Sequence, residues 1–559
     1  MEKEQDGVQQ VVDFDDYVDV KEGKKGKELS QKIAVPGLEI GDCIDVFSLD
    51  QIDTQEQQLD PFVFFLRQSE PVLYSRIHCV LDQSLATVYR SMNGAPEFKK
   101  TTDKDKNAVL DLTMDQPVDA EPSVWYNATV QSPYIMMFIT PTKTKTVIVE
   151  KAMRQKGVRA NPDVAPILQD DWKLMKTYVS KGGYSPAGLP STYKSVFKSA
   201  KKEGMSAEEK ADRIYSFEYV SGGASQRVFN TVANYLRKLG VDQLINYNST
   251  TWFFRLKGTN LYYFPGTYPK VASEIPYIYQ GRKAYMQDSE EQITIPVSQA
   301  EDNKSVNDMV VKLDGTKLDI SRKVTYSGEQ KMYGQSLVSP DNTLFGSSQL
   351  EAYWRYLKYD DKDPYSCYTK KESAELKGAF NEYRKNAIDP FKAEISSYHD
   401  GDPVQVGGYG VDCVGIRRDS SNFVYHVDYV MDGMVKRAGN NYLLSVGKLI
   451  GSSLKLEGKD RERIDDVWRK MAFVDEWNIE IPLPQGYKVS AEALKKIETS
   501  VANECGEFTV KATAGNESVK VYVRKCFAHR VEPVSNWSKL LALVDACSAF
   551  TDKQMVIAK

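Results

Sequence analysis

The chain has 559 residues, 41% hydrophobic and 27% charged, a globular composition with ample material for sizeable cores that excludes global disorder. Lys and Arg number 73 against 77 Asp and Glu, and the net charge of -4 excludes a strongly cationic nucleic-acid binder. The longest frankly apolar stretch, Tyr134 to Ile139, is far too short to cross a bilayer, so no membrane span is expected.

At roughly 150 residues per domain, this length predicts three or four domains. The opening MEKEQDGVQQ lacks the apolar run of a secretion signal. KEGKKGK (Lys21 to Lys27), beside the acidic DFDDYVDVKE, reads as a solvated loop or hairpin tip rather than an anion-binding patch. Clear strand patterns begin abruptly near Lys32, as they would in a chain cut from a longer one. From there to about Glu150, IAVPGLEIGDCIDVFSL, PVLYSRIHCVL and LATVYRSM alternate with period two, and SPYIMMFIT reads as a buried strand. This region is expected to be a β-sandwich, within an N-terminal domain spanning residues 1–165.

The period changes after Asp170. SAEEKADRIYSFEYV opens with a Ser206 and Glu209 capping-box pattern. ASQRVFNTVANYLRKLGV carries the apolar stripe Val228, Phe229, Val232, Tyr235, Leu236 and Leu239, and Gly240 is its expected stop. TTWFFRL and NLYYFPG follow as two strands around Lys257 to Asn260, so residues 166–288 read as an α+β domain. Strand patterns return from Gln292, with ITIPVS, DMVVKLDG and DISRKVTYSG. A charged helical insertion is expected at about 345–400, then a hairpin of VDCVGIRRD and NFVYHVDYV, further strands, and a closing amphipathic helix around NWSKLLALVDACSAF. Residues 289–559 are thus expected to be a C-terminal β-sandwich with a helical insertion.

The order of these pieces resembles bacterial multidomain transglutaminase-like proteins, in which a papain-like core lies between two β-sandwich domains of unknown function. The N-terminal likeness rests on KIAVPGLEIGDCID, EPVLYSR and the Trp125 to Ser132 segment. The central likeness rests on IYSFEYV, GASQRVFNTVANYLRKLGV, TTWFFRLKGTNLYYFPGT and EIPYIYQGRKAY, and the C-terminal likeness on EIPLPQGYKV and a closing helix before MVIAK. The resemblance implies a Cys nucleophile at a helix start, where the helix terminus favours thiolate, with a His to take its proton and an Asp to orient the imidazole. Its positions fall here on Ser225, Thr250 and Phe264, so the triad is degenerate. The expectation is therefore a pseudoenzyme, a periplasmic or cell-surface binding or scaffolding protein whose partner is an unidentified protein, peptide or glycan.

Two other constellations compete. If Arg418 pairs with Phe423, Cys413 lies opposite Asp428 with His426 on the same face, the raw material of a cysteine-type hydrolase or acyltransferase. The plainer reading is a small buried cysteine beside an exposed face. The Tyr-rich stretches YWRY, YYF and YIY could line a glycan groove, or serve as surfaces and interfaces. GGYGVD (Gly407 to Asp412) precedes a strand instead of opening a helix, so it reads as a flexible connector and not a phosphate loop. Seven scattered Cys without a C-x-x-C pair and four isolated His offer nothing for a disulfide framework or metal site, and no cofactor is expected.

Overall fold

The computed structural model describes short runs between residues 2 and 49, then 62–141, 204–220, 241–246, 252–264, 271–338 apart from 272, 273 and 287–291, scattered positions between 370 and 387, and 388–559 apart from 416, 417, 419 and 516. The chain separates into two units, Met1–Gln58 and Leu59–Lys559. In the first, Glu2–Gln5 pairs with both Val8–Val11 and Cys43–Asp45, and Tyr17–Glu22 pairs with Glu28–Ile33 as a separate antiparallel ribbon. Strands therefore begin well before Lys32. The ribbon register sets Glu22 opposite Glu28, and residues 23–27 of the basic run lie outside the described residues.

The second unit opens with two three-stranded sheets. One contains β1 (Phe62–Phe65), β3 (Leu85–Met92) and β6 (Tyr134–Pro141); the other contains β2 (Ser75–Leu81), β4 (Lys99–Thr102) and β5 (Ala108–Met114). Period-two alternation points Leu81, Leu110 and Leu112 from one sheet, and Ile135 and Met137 from the other, into one shared core. The sequence predicts a sandwich from Lys32, but these two sheets begin at Phe62, and the strands before Gln58 belong to the first unit.

Helix α1 (Ala207–Val220) starts at the predicted capping box: Ser206 N–H donates to Glu209 Oε2 at 2.8 Å and Glu209 N–H to Ser206 Oγ at 3.1 Å. A five-stranded sheet follows, in the order β9 (Tyr262–Tyr263), β8 (Trp252–Leu256), β7 (Val241–Asn246), β10 (Lys283–Met286) and β11 (Gln292–Thr294). Strand β11, read in the sequence as the start of the C-terminal region, instead completes this sheet beside β10. The apolar stripe from Val228 to Leu239 lies outside the described residues.

The largest element is an eight-stranded sheet. Its strands are β12 (Lys304–Asp314), β13 (Lys317–Tyr326), β14 (Gln405–Cys413), β15 (Phe423–Met431), β16 (Phe473–Pro482), β17 (Thr499–Asn503), β18 (Gly506–Ala514) and β19 (Ser518–Phe527), in the order β14-β15-β13-β12-β16-β19-β18-β17. Only the β12–β16 pair in it is parallel. Along β13, Leu318, Ile320, Arg322, Val324 and Tyr326 are buried and the residues between them are not. The buried face is covered by α2 (Gln330–Val338), α3 (Ile388–His399), α4 (Ala491–Ile497), α5 (Trp537–Thr551) and a small sheet of Val435–Ala438, Asn441–Leu444 and Met555–Ile557. The expected C-terminal sandwich is thus one broad sheet with a mostly helical second layer, because the apolar partners of its inner face come from helix stripes such as Phe391 and Ile395. The predicted closing helix is α5, which buries Leu540, Leu543, Val544 and Cys547 at helical spacing. GGYGVD is a correction: it forms most of edge strand β14, where Gly410 stands opposite His426. Among the described residues no helix is long and apolar enough to cross a membrane.

Candidate binding cleft

Where β12 lies beside β16, the register sets Ser305 next to Asp475 and Asn307 next to Trp477 on the inner face of the sheet. These residues floor a cleft of about 900 Å³, a volume typical of small-molecule sites. Helix α2 lines one side with Tyr333 and Leu337, four residues apart, and α3 adds Glu394 and Tyr398 by the same spacing. Three further segments complete the lining: Trp125 to Ala128 from the sandwich, Tyr277, and Trp468 to Phe473.

The aromatic walls are fixed from behind. Trp477 Nε1–H donates to the Tyr398 hydroxyl at 2.8 Å, and that hydroxyl donates to the Leu449 carbonyl at 3.0 Å. Burial pushes the Tyr398 hydroxyl pKa up to about 12, so it remains a neutral donor at ordinary pH. Trp125 sits in the left-handed region at φ 53°, unusual for a bulky side chain. Its ring meets Phe527 at 5.2 Å and Trp537 at 6.2 Å, and its carbonyl accepts from Arg463 Nη2 at 2.7 Å and from Trp468 N–H at 2.8 Å. Those contacts offset the backbone strain. Behind Trp468 the Arg530 guanidinium lies 4.4 Å from the ring, and burial lowers its pKa to about 10 without discharging it near neutrality.

Every carboxylate among the described lining residues has an internal partner. Glu394 pairs with the fully buried Arg322. Asp475 pairs with Lys525 at 2.7 Å and accepts from Gln330 Nε2 at 3.1 Å. Glu329 accepts the Tyr277 N–H at 2.9 Å. Arg469, whose pKa burial also lowers to about 10, lies over Trp125 at 5.0 Å and Phe527 at 4.8 Å and donates to the His529 carbonyl. Among the described lining residues there is no histidine or cysteine, so the cleft offers planar apolar faces and neutral hydrogen-bonding groups but no nucleophile–imidazole pair.

The residues singled out in the sequence lie elsewhere. Ser225 and Thr250 are outside the described residues. Phe264 is a core residue: its ring stacks on Phe253 at 4.6 Å and on Tyr279 at 5.4 Å, while its carbonyl accepts the Tyr215 hydroxyl at 2.8 Å. The hairpin register differs from the four-residue turn expected. Cys413 stands opposite Val424, not Asp428, because the connection between Cys413 and Phe423 is longer than a four-residue turn; the bulge between Val411 and Cys413 shifts the pairing by only one residue. Cys413 Sγ points to the Ser420 carbonyl at 3.5 Å, and His426 Nδ1 is taken by Asp412 at 2.7 Å. His426 and Asp428 do share the open face of the sheet, along a second groove with Lys323 and Asn478.

The Tyr-rich stretches divide. YWRY lies outside the described residues, YYF is buried in the five-stranded sheet, and in YIY only Tyr277 reaches the cleft. Trp125, Glu394, Trp468 and Trp477 carry no site signal in the sequence, since no local pattern joins residues spread from position 125 to 477.

No family model matches the chain, and no curated protein matches it. Among solved structures, a crystal structure from Parabacteroides distasonis, provisionally assigned as a protease, is 10% identical over 100% of this chain and 88% of that one, with a TM-score of 0.42.

Proposed function

We propose that this chain is a non-catalytic binding protein, built as a degenerate transglutaminase-like core (residues 166–288) between an N-terminal domain (1–165) and a C-terminal domain (289–559), and that its ligand site is the aromatic cleft. In this reading it works at the cell envelope, in the periplasm or on the cell surface, as a binding or scaffolding module. The observation that carries the proposal is the composition of the cleft: ring faces and amide or hydroxyl groups, with its carboxylates already engaged and no cysteine or histidine among the described lining residues. The aromatic stack around Phe264, at the position where the resemblance expects an Asp, supports the same reading. The alternative is a cysteine-type hydrolase or acyltransferase centred on Cys413, His426 and Asp428.

Assays of amine incorporation and amide hydrolysis on glutamine-containing and cell-wall peptides test this directly. No turnover is expected from the wild type, Ser225→Ala or Cys413→Ala. Wild-type turnover abolished by Ser225→Ala would overturn the pseudoenzyme reading, and turnover abolished only by Cys413→Ala would move the chemistry to the hairpin.

A further inference from the structure

We infer that the cleft takes a neutral oligosaccharide, an inference that rests on reading the cleft as a non-catalytic binding site. The buried charges of the cleft favour a neutral ligand, because each is engaged within the protein. Glu394, Asp475, Glu329 and Arg469 each already have a partner in the protein. Lys470 is exposed and lies over the Tyr277 ring at 5.7 Å. The one described lining charge left without an ion pair or hydrogen bond is Lys470, and because it is solvent-exposed an ion pair there is worth too little to offset a charged ligand's lost hydration.

What the cleft does offer matches a pyranose ring. Each sugar presents flat C–H faces that cover aromatic rings, and a rim of hydroxyls that pair with side-chain amides and hydroxyls. Tyr333 stands 56% exposed on α2, an unusual placement for a large ring away from an interaction site, and Tyr277 presents a second half-buried ring from another segment. Ser305 and Asn307 are buried in the floor, where a hydroxyl-bearing ligand can meet them. An extended peptide is the weaker fit. Strand β12 is laddered on both sides, by β13 and β16, so the floor has no open backbone edge to add a strand to.

Calorimetric titration of the full chain with three neutral tetrasaccharides (of N-acetylglucosamine, β-glucose and α-glucose), a tetragalacturonate and a proline-rich decapeptide tests the inference. At least one neutral tetrasaccharide is expected to bind, with an affinity insensitive to salt. Tyr333→Ala is expected to weaken that binding about tenfold while Tyr333→Phe retains it, both with unchanged melting temperature, because the ring and not its hydroxyl does the stacking. No heat with any neutral tetrasaccharide at millimolar concentration overturns the inference. Binding of the acidic sugar or the peptide alone also overturns the ligand class, while leaving the cleft a binding site. Cleavage of a bound tetrasaccharide would do the reverse, keeping the ligand and overturning the non-catalytic reading.

Discussion

Arg322 on β13 and Glu394 on α3 form an ion pair whose side chains are 0% and 3% exposed, roofed by the Tyr398 ring 4.1 Å from the guanidinium. Tyr425 adds an acceptor at 3.3 Å, yet Nε and Nη1 of Arg322 have no hydrogen-bond partner. Desolvation therefore offsets much of the Coulomb attraction, and the pair fixes where α3 sits more than it stabilises the fold. Arg322→Met alone should cost about 3–5 kcal/mol by stranding a buried carboxylate, and Arg322→Met with Glu394→Leu should recover most of it. Urea unfolding of the wild type, the single and the double variant measures this. Equal losses in both variants would show that packing of the two stems, not charge, dominates.

His399, at the end of the same helix, has Nε2 2.7 Å from the Tyr429 hydroxyl. Burial, and then the charge of Arg322, lower its pKa to about 3 from an ordinary 6.5. Above that ordinary value the imidazole is neutral in both folded and unfolded chains and contributes no pH dependence. Between about 6.5 and about 3 only the unfolded chain takes up the proton, so stability falls as pH falls, by up to about 1.4 kcal/mol per unit. His399→Gln should remove that component. Unfolding free energies at about pH 7 and about pH 5 should therefore differ less in the variant than in the wild type.

Two glycines should respond very differently to the same added methyl. A Cβ at Gly334 on α2 would collide with the Tyr326 ring beneath it. Gly334→Ala should thus lift the helix from the sheet and cost about 1–3 kcal/mol, despite the better helix propensity of alanine. At Gly410 the nearest atom would be Cε1 of His426 at 3.3 Å, on a side chain that can move, so Gly410→Ala should change stability by less than about 1 kcal/mol. Thermal unfolding of both variants checks the contrast.

Placing an acid at Phe264, where the resemblance expects one, should damage the protein rather than create activity. Phe264 is 2% exposed between two stacked rings, and Phe264→Asp would bury a carboxyl in an apolar slot while emptying the stack. A loss above about 4 kcal/mol is expected, from both the cavity and the desolvated group. Combining it with Ser225→Cys and Thr250→His should yield no amide hydrolysis. A stable triple variant that turns over substrate would contradict the core role given to Phe264.

The sequence reveals elements whose pattern is local. The capping box of α1, the stripe of α5 and the alternation of β13 each sit within a few residues of their own signal, and each stands where it was expected. The register of β14 against β15 is not legible because the length of the connection after Cys413 sets it, and no apolar pattern marks where that connection begins and ends. The glycines of β14 do not reveal a strand because a glycine-rich edge strand and a flexible connector have the same composition. The cleft was illegible for a different reason: its floor depends on Ser305 meeting Asp475, a pairing 170 positions apart that no window of residues contains.

That pairing also dictates the order in which the protein can be assembled. Strands β12 to β15 are made first and form one half of the broad sheet, with β12 as an open hydrogen-bonding edge until β16 has been synthesised. During translation this nascent half-sheet exposes both a strand edge and the apolar face that α5 later helps to cover. A chain stopped before Phe473 would keep both exposures permanently and so be prone to self-association, which makes the last ninety or so residues a built-in safeguard against premature edge-to-edge pairing.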